Sequence, residues 1–274
     1  MDPAKTPLRL SLARVILAGG LALTVTGCNT FDGAPRGAES LFQILAPQTS
    51  PAEAAEMATD PYSAEKRYKG ITLLSSADFG GQPVYIELYI DNLDDSDASV
   101  RGASVRAIGR HGDPEHAPML IEALSDEDDF VRLEAARGLQ RIHSEDAIDP
   151  LLTLIDEAEE PNTDIRTAAA DALGQYRYKR VVLGLMGALR DSRLAVNSRV
   201  QHSLMILTGQ NFGLDRLAWI DWYNETDDIF AGAQPYTYPI FNRKKKIIEY
   251  LPLVPPPPNE SKGSPVGMDP VIDD

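Results

Sequence analysis

Few residues in this 274-residue chain have a type and spacing suited to chemistry. There is one thiol, Cys28, so no disulfide can form within the chain. The four imidazoles, His111, His116, His143 and His202, stand apart, and none belongs to a His-Glu pair. His111 and His143 fall at corresponding helix C-terminal ends, where a histidine complements the helix dipole. Carboxylates are abundant and clustered: Asp94, Asp95 and Asp97; Asp126, Glu127, Asp128 and Asp129; Asp156, Glu157, Glu159 and Glu160. Paired carboxylates do acid–base work only when burial raises one pKa, and acids in such polar runs are expected to be exposed. No Gly-rich phosphate loop, nucleophile elbow or cysteine-based zinc spacing occurs. The pattern implies no cofactor, no metal and a non-enzymatic protein.

Charge narrows the partners. The formal net charge is −15, and the first 27 residues are basic through Lys5, Arg9 and Arg14 against Asp2, so the remainder is more acidic still. Such a body is a poor ligand for nucleic acid, which requires clustered Lys and Arg. Residues 15–26 form an apolar run too short to span a bilayer comfortably, as expected of a secretory signal over residues 1–27. The run ends Val25-Thr26-Gly27-Cys28. This resembles the bacterial lipobox, which implies cleavage before Cys28, a lipid on its sulfur and firm anchoring by several acyl chains. Asn29 differs from the Asp of an inner-membrane retention signal. The resemblance therefore implies a cell-envelope location, with the outer membrane facing the periplasm favoured. Residues 28–50, rich in small and polar residues, read as the lipidated Cys and a tether.

The elements that would position any site are repeats. A ten-residue box begins at Val100 (VRGASVRAIG), Val131 (VRLEAARGLQ), Ile165 (IRTAAADALG) and Val200 (VQHSLMILTG). Val131, Ala135 and Leu139 lie at i, i+4, i+8, which is one helical face. A partner helix carries two apolar residues, two spacers and one more: Tyr89-Ile90 with Leu93, Leu120-Ile121 with Leu124, Leu151-Leu152 with Ile155, and Leu185-Met186 with Leu189. These features resemble the short bacterial HEAT-like repeat family, which includes phycobilin-lyase-type members. The motif is an Asp-bearing turn, then Val-Arg, then an Ala-rich helix, matched by Asp97 and Val100-Arg101, Asp128 and Val131-Arg132, and Asp164 and Ile165-Arg166. Gln201 stands in the Arg place of the fourth box. Asp60, Lys66-Arg67 and Leu73-Leu74 echo the pattern earlier. The expectation is an all-α, right-handed solenoid of about five helix pairs over residues 51–213.

Each box stands 24 residues before the next partner-helix anchor (Leu124, Ile155, Leu189), whereas anchor to box varies from 7 to 11. Length variation therefore lies in the loop inside each pair, and that edge collects the acids. Helix capping, a solvated face, and a binding edge for a basic partner or Ca²⁺ all account for acids there. The candidate partner-binding residues are Arg101, Arg132, Arg166, Asp94, Asp95, Asp97, Asp126, Glu127, Asp128 and Asp129.

Asp215 suits an N-cap, and Trp219, Trp222 and Tyr223 share one helical face, as a terminal cap would. The solenoid with its cap thus spans 51–223. Residues 224–274, with an aromatic stretch, the basic run at 243–246 and a polyproline run, read as an extended tail. Its apolar flanks suggest docking on the body, while the basic run suits solvated charge, envelope anions or the chain's own acids. The expected function is a lipid-anchored scaffold for an unidentified envelope protein. A lyase or accessory subunit of an envelope enzyme, and a structural link between membrane and wall, are the alternatives.

Overall fold

A computed structural model describes residues 49–239 and 262–268. Cys28, the tether as far as residue 48, and 240–261 with the basic and polyproline runs lie outside the described residues. Among the described residues eleven α-helices form five consecutive pairs and a cap. The pairs are α1 (Pro51–Ala58) with α2 (Ala64–Ser76), α3 (Pro83–Asp91) with α4 (Ala98–His111), α5 (Ala117–Ala123) with α6 (Asp129–Gly138), α7 (Ile148–Leu154) with α8 (Thr163–Leu173), and α9 (Lys179–Ala188) with α10 (Leu194–Thr208); α11 (Arg216–Glu225) follows. The chain is an all-α repeat solenoid.

Local chemistry starts the second helices. Ser63, Asp97, Asp128 and Asn162 are N-caps whose side chains accept from backbone N–H groups of the first turn, satisfying donors that have no partner inside the helix. The apolar stripe of each box then goes inward: Val100, Ala107 and Ile108, Val131, Ala135 and Leu139, and Ile165, Ala169 and Leu173 are all at most 1 % exposed. Small residues bring these helices together. A Cβ on Gly109 of α4 would stand 2.6 Å from the Cα of Gly138 of α6. Successive second helices pack directly on one another, whereas first helices touch sparingly. The second helices therefore form the inner, concave layer and the first helices the outer one.

The fourth repeat corrects the expected register. In α4, α6 and α8 the box begins three residues after the N-cap, at Val100, Val131 and Ile165. The N-cap of α10 is Arg193, which places the equivalent residue at Val196, not Val200. Asn197, not Gln201, thus occupies the Arg position, and its Nδ2 donates to the carbonyl of Asp191, six residues back, at 2.9 Å. Val196, Val200 and Leu204 are all fully buried, so apolar periodicity accepts both registers. With Val196 as the box, the anchor-to-box distance from Leu189 returns to 7, and the one longer loop is that between Ile155 and Ile165.

The last repeat ends at Gly209, in the left-handed region at φ 71°, where a Cβ would stand 2.2 Å from the carbonyl oxygen of Gly232. Helix α11 closes the open end. Trp219 is fully buried, its indole N–H donates to the carbonyl of Gly213 at 3.0 Å, and its ring meets Phe212 edge-on at 5.0 Å. Trp222 and Tyr223 are half-buried against the same core. The chain then turns back along the C-terminal ends of the second helices. The backbone N–H of Gln234 donates to the Ile206 carbonyl at 2.7 Å, and Tyr236 is 2 % exposed. The two-residue strands β1 (Tyr238–Pro239) and β2 (Lys262–Gly263) pair antiparallel. Val266 bridges Ile142 in parallel, exchanging backbone bonds with Arg141 and His143 at 2.7 and 2.9 Å. The described part of the tail is docked on the solenoid.

Candidate functional site

The Val-Arg motif builds a ladder between repeats. The Arg101 Nε and Nη2 donate to both carboxylate oxygens of Asp126 at 2.8 Å, while Nη1 donates to the Asp95 and Ser96 carbonyls of its own loop. Arg132 repeats this on Glu160 at 2.8 and 3.4 Å and on the carbonyls of Asp126 and Glu127. Arg166 repeats it on Asp191 at 2.7 and 3.1 Å and on those of Glu160 and Pro161. Arg67 of the first pair holds Asp95 at 2.6 and 2.8 Å and the Asp60 carbonyl. Each acid also accepts the backbone N–H two residues on, from Asp97, Asp128, Asn162 and Arg193. Every rung is thus a bidentate, charge-assisted fork whose carboxylate also fixes its own turn. The arginines hold the carboxyls of Asp95 and Asp126 below the ordinary carboxylate range. The last rung is the most buried, with Arg166 and Asp191 1 % and 2 % exposed.

Most of the acidic edge is therefore committed to the fold. Arg101, Arg132, Arg166, Asp95 and Asp126 are rungs. Asp97 and Asp128 are N-caps, bonded to the backbone N–H groups of Ser99 and Phe130 at 2.9 Å. Asp129 accepts from Arg132 at 2.5 Å and from the Asn162 amide at 2.8 Å. Asp94 and Glu127 stay at the surface, beside a groove of about 750 Å³ between α3 and α5; Glu127 is 91 % exposed. Among the described residues no group of three or more His, Cys, Asp or Glu is placed to hold a metal ion. His111 Nε2 bonds the Ser75 carbonyl at 2.7 Å, and His143 Nδ1 bonds the Gln175 side-chain oxygen at 2.9 Å, each tying one repeat to another.

The concave layer carries a second set of arginines outside the motif. Arg106 and Arg137 stand six residues after Val100 and Val131; Arg110 and Arg141 stand ten after. Helical repetition thus lines them up in two columns on α4 and at the end of α6. They line a cleft of about 590 Å³ with Glu134, Asp164, Asp171 and Arg199, closed at one side by Tyr238 and Pro239. Buried Glu134 bridges Arg106 and Arg137, each at 3.0 Å. The Arg110 guanidinium donates to the Ser75 carbonyl at 3.1 Å. The Arg141 guanidinium lies 5.5 Å from the centre of the Tyr238 ring and makes no ion pair among the described residues. Its surroundings disfavour its charge, because desolvation pushes its pKa down.

In the next two repeats the column six residues past the box start, that of Arg106 and Arg137, holds Asp171 and His202. Asp171 pairs with Arg199 at 3.4 Å. Burial pushes the Asp171 carboxyl up and the His202 imidazole down. Tyr236 covers this end, with its hydroxyl buried and unpaired among the described residues; burial drives that hydroxyl far above its ordinary pKa. These arginines are hidden in the sequence because they stand away from the Val-Arg pair, Arg106 and Arg137 inside the boxes and Arg110 and Arg141 just past them. The signal that finds them is the recurrence of Arg at six and ten residues past the box starts Val100 and Val131.

Part of the chain matches a known repeat family. Residues 86–161 match the family model for HEAT repeats. No curated protein matches the chain. Among solved structures, the chain is similar to the complex of CpcE and CpcF of phycocyanin lyase from Nostoc sp. PCC7120, at 19 % identity over 58 % of this chain and 77 % of that one, TM-score 0.41. A designed armadillo repeat protein in complex with the peptide (KR)4 is 16 % identical over 65 % of this chain and 92 % of its own, TM-score 0.46. Human deoxyhypusine hydroxylase in complex with glycerol is 18 % identical over 67 % and 81 %, TM-score 0.29. These likenesses concern the repeat fold alone.

Proposed function

We propose that the protein is a non-enzymatic interaction scaffold of the bacterial cell envelope, tethered through a lipid on Cys28 and engaging an envelope protein with its concave face. The observation that carries the binding role is the cleft: four arginines from two successive repeats line one concave surface, where buried Glu134 bridges two of them, Arg106 and Arg137. Concave, partly apolar surfaces with a few convergent polar groups are where proteins take ligands. The arginines first picked out by the motif are spent on the ladder, so the binding role passes to Arg106, Arg137 and Arg141, with surface Asp94 and Glu127 left as secondary contacts. The tether rests on the lipobox residues Val25-Thr26-Gly27-Cys28.

Two measurements test the reading. Mass spectrometry of membrane fractions should find acylated Cys28, and Cys28→Ser should release the protein from the membrane; an unmodified, soluble wild type overturns the tether. Crosslinking in intact cells followed by affinity capture should recover one defined envelope protein. A protein that crosslinks to nothing at native abundance, or that turns over substrate when purified, overturns the scaffold.

A further inference from the structure

Resting on the scaffold reading, we infer that the Arg106–Arg137–Arg141 half of the concave cleft recognises an acidic, extended protein segment, with Arg141 as the anchoring guanidinium. Three observations converge. The first is charge contrast: in a chain of net charge −15, the cleft is lined by five arginines and three carboxylates, Glu134, Asp164 and Asp171. Glu134 is shared by Arg106 and Arg137, so it neutralises one of them at most, and those two side chains remain 38 % and 53 % exposed.

The second is the state of Arg141. Its charge is partly desolvated beneath Tyr238 and lacks a carboxylate among the described residues, whereas each motif arginine has one. A desolvated cation without a counter-charge is costly, and an incoming carboxylate offsets that cost through a bidentate fork. The Tyr238 ring holds the guanidinium plane in place, which reduces the entropy lost on binding.

The third is shape. The cleft runs across α4, α6 and α8 and is bounded by β1. Helix spacings of about 8–10 Å make it roughly 20 Å long, which an extended segment of about six residues spans at about 3.3 Å per residue. A nucleic-acid strand carries a charge at every phosphate and must pass the acidic rim formed by Asp164 and the loop edge. A segment with two or three carboxylates meets the arginines with less repulsion.

The test uses the full chain and a fluorescein-labelled eight-residue peptide alternating Glu and Ser, read by fluorescence anisotropy. Saturable binding is expected, weakened at least tenfold when Gln replaces every Glu and weakened further by added salt. Arg141→Gln should weaken the Glu peptide about tenfold and exposed Arg137→Gln severalfold, both with unchanged circular dichroism. Equal affinity for the Gln peptide, or wild-type affinity in both folded variants, overturns the site. Tighter binding of an eight-nucleotide single strand than of the peptide overturns the acidic-segment assignment. Peptide binding seen only after removal of residues 269–274 assigns the cleft to the chain's own acidic C-terminus and overturns the partner. Cellular crosslinking separates the two levels: a partner recovered equally by wild type and both Arg variants removes this site and leaves the scaffold standing.

Discussion

The two sets of arginines in this solenoid carry the same side chain and opposite meanings. On the loop edge, Arg101, Arg132 and Arg166 each grip a carboxylate of the next repeat and two carbonyls of their own loop. On the concave face, Arg141 has an aromatic ring and no carboxylate among the described residues. The difference lies in what the neighbouring repeat supplies. The position five residues before the box start holds an acid in each of the four repeats after the first, while the column of Arg106 and Arg137 changes to Asp171 and His202 along the stack. Uniformity across repeats marks the bonds that make the stack, and variation marks the surface the stack presents.

The comparison breaks most readily at the last rung. Arg166→Met leaves Asp191 buried without its counter-charge and should cost about 3–5 kcal/mol by urea denaturation; Arg141→Met, a substitution of the same type on the concave face, should cost far less. Equal losses would mean the two sets are not distinct. The docked tail comes next. Tyr236→Ala removes a buried aromatic and should cost about 3 kcal/mol, and a truncation after residue 234 should cost at least as much; an unchanged denaturation midpoint would show that the tail adds nothing to the solenoid.

Acid sharpens the contrast further. Because Arg67 and Arg101 lower the pKa of Asp95 and Asp126, these rungs contribute stability that is complete above the unfolded carboxylate value. That stability is lost as pH falls below about 4 toward the folded values. Arg101→Gln should flatten this decline, whereas Arg137→Gln should leave it unchanged, as thermal melts across the acid range would report. The smallest effects belong to groups with no fold bonds to lose. Tyr236→Phe deletes an unpaired hydroxyl and should be neutral or slightly stabilising, within about 1 kcal/mol. Asp94→Asn should stay within about 0.5 kcal/mol.

Much of the scaffold was legible in the sequence. Three boxes, the five pairs and the aromatic cap follow from apolar spacing, and the structure places them there. The fourth box slipped by one helical turn because Val196, Val200 and Leu204 lie on the same buried face; the Arg that pins the register elsewhere is Asn197 here. The ladder was harder to see. Each loop holds three or four acids, and composition does not distinguish the one that faces the preceding repeat. The distinguishing signal is position: Asp95, Asp126, Glu160 and Asp191 each stand five residues before the box start. Tail docking was expected from the apolar flanks 236–241 and 247–254, and Tyr236 and Tyr238 of the first flank do pack on the body. The second flank lies outside the described residues, and Val266 adds a contact that was not anticipated.

The rung geometry also says how such a chain can change length. Every rung Arg forks onto one acid of the following repeat, 25 to 28 residues away. A tandem copy of residues 98–128 would therefore bring its own Arg, its own acid and its own turn, and both new junctions would close with bonds already present. Unequal duplication could lengthen the array without any new interface having to arise. Asn197 is the full stop of this grammar: it keeps the bond to its own loop, carries no charge to offer onward, and leaves its buried Oδ1 without a partner among the described residues. A ladder that was to continue past this repeat would first have to restore an arginine there.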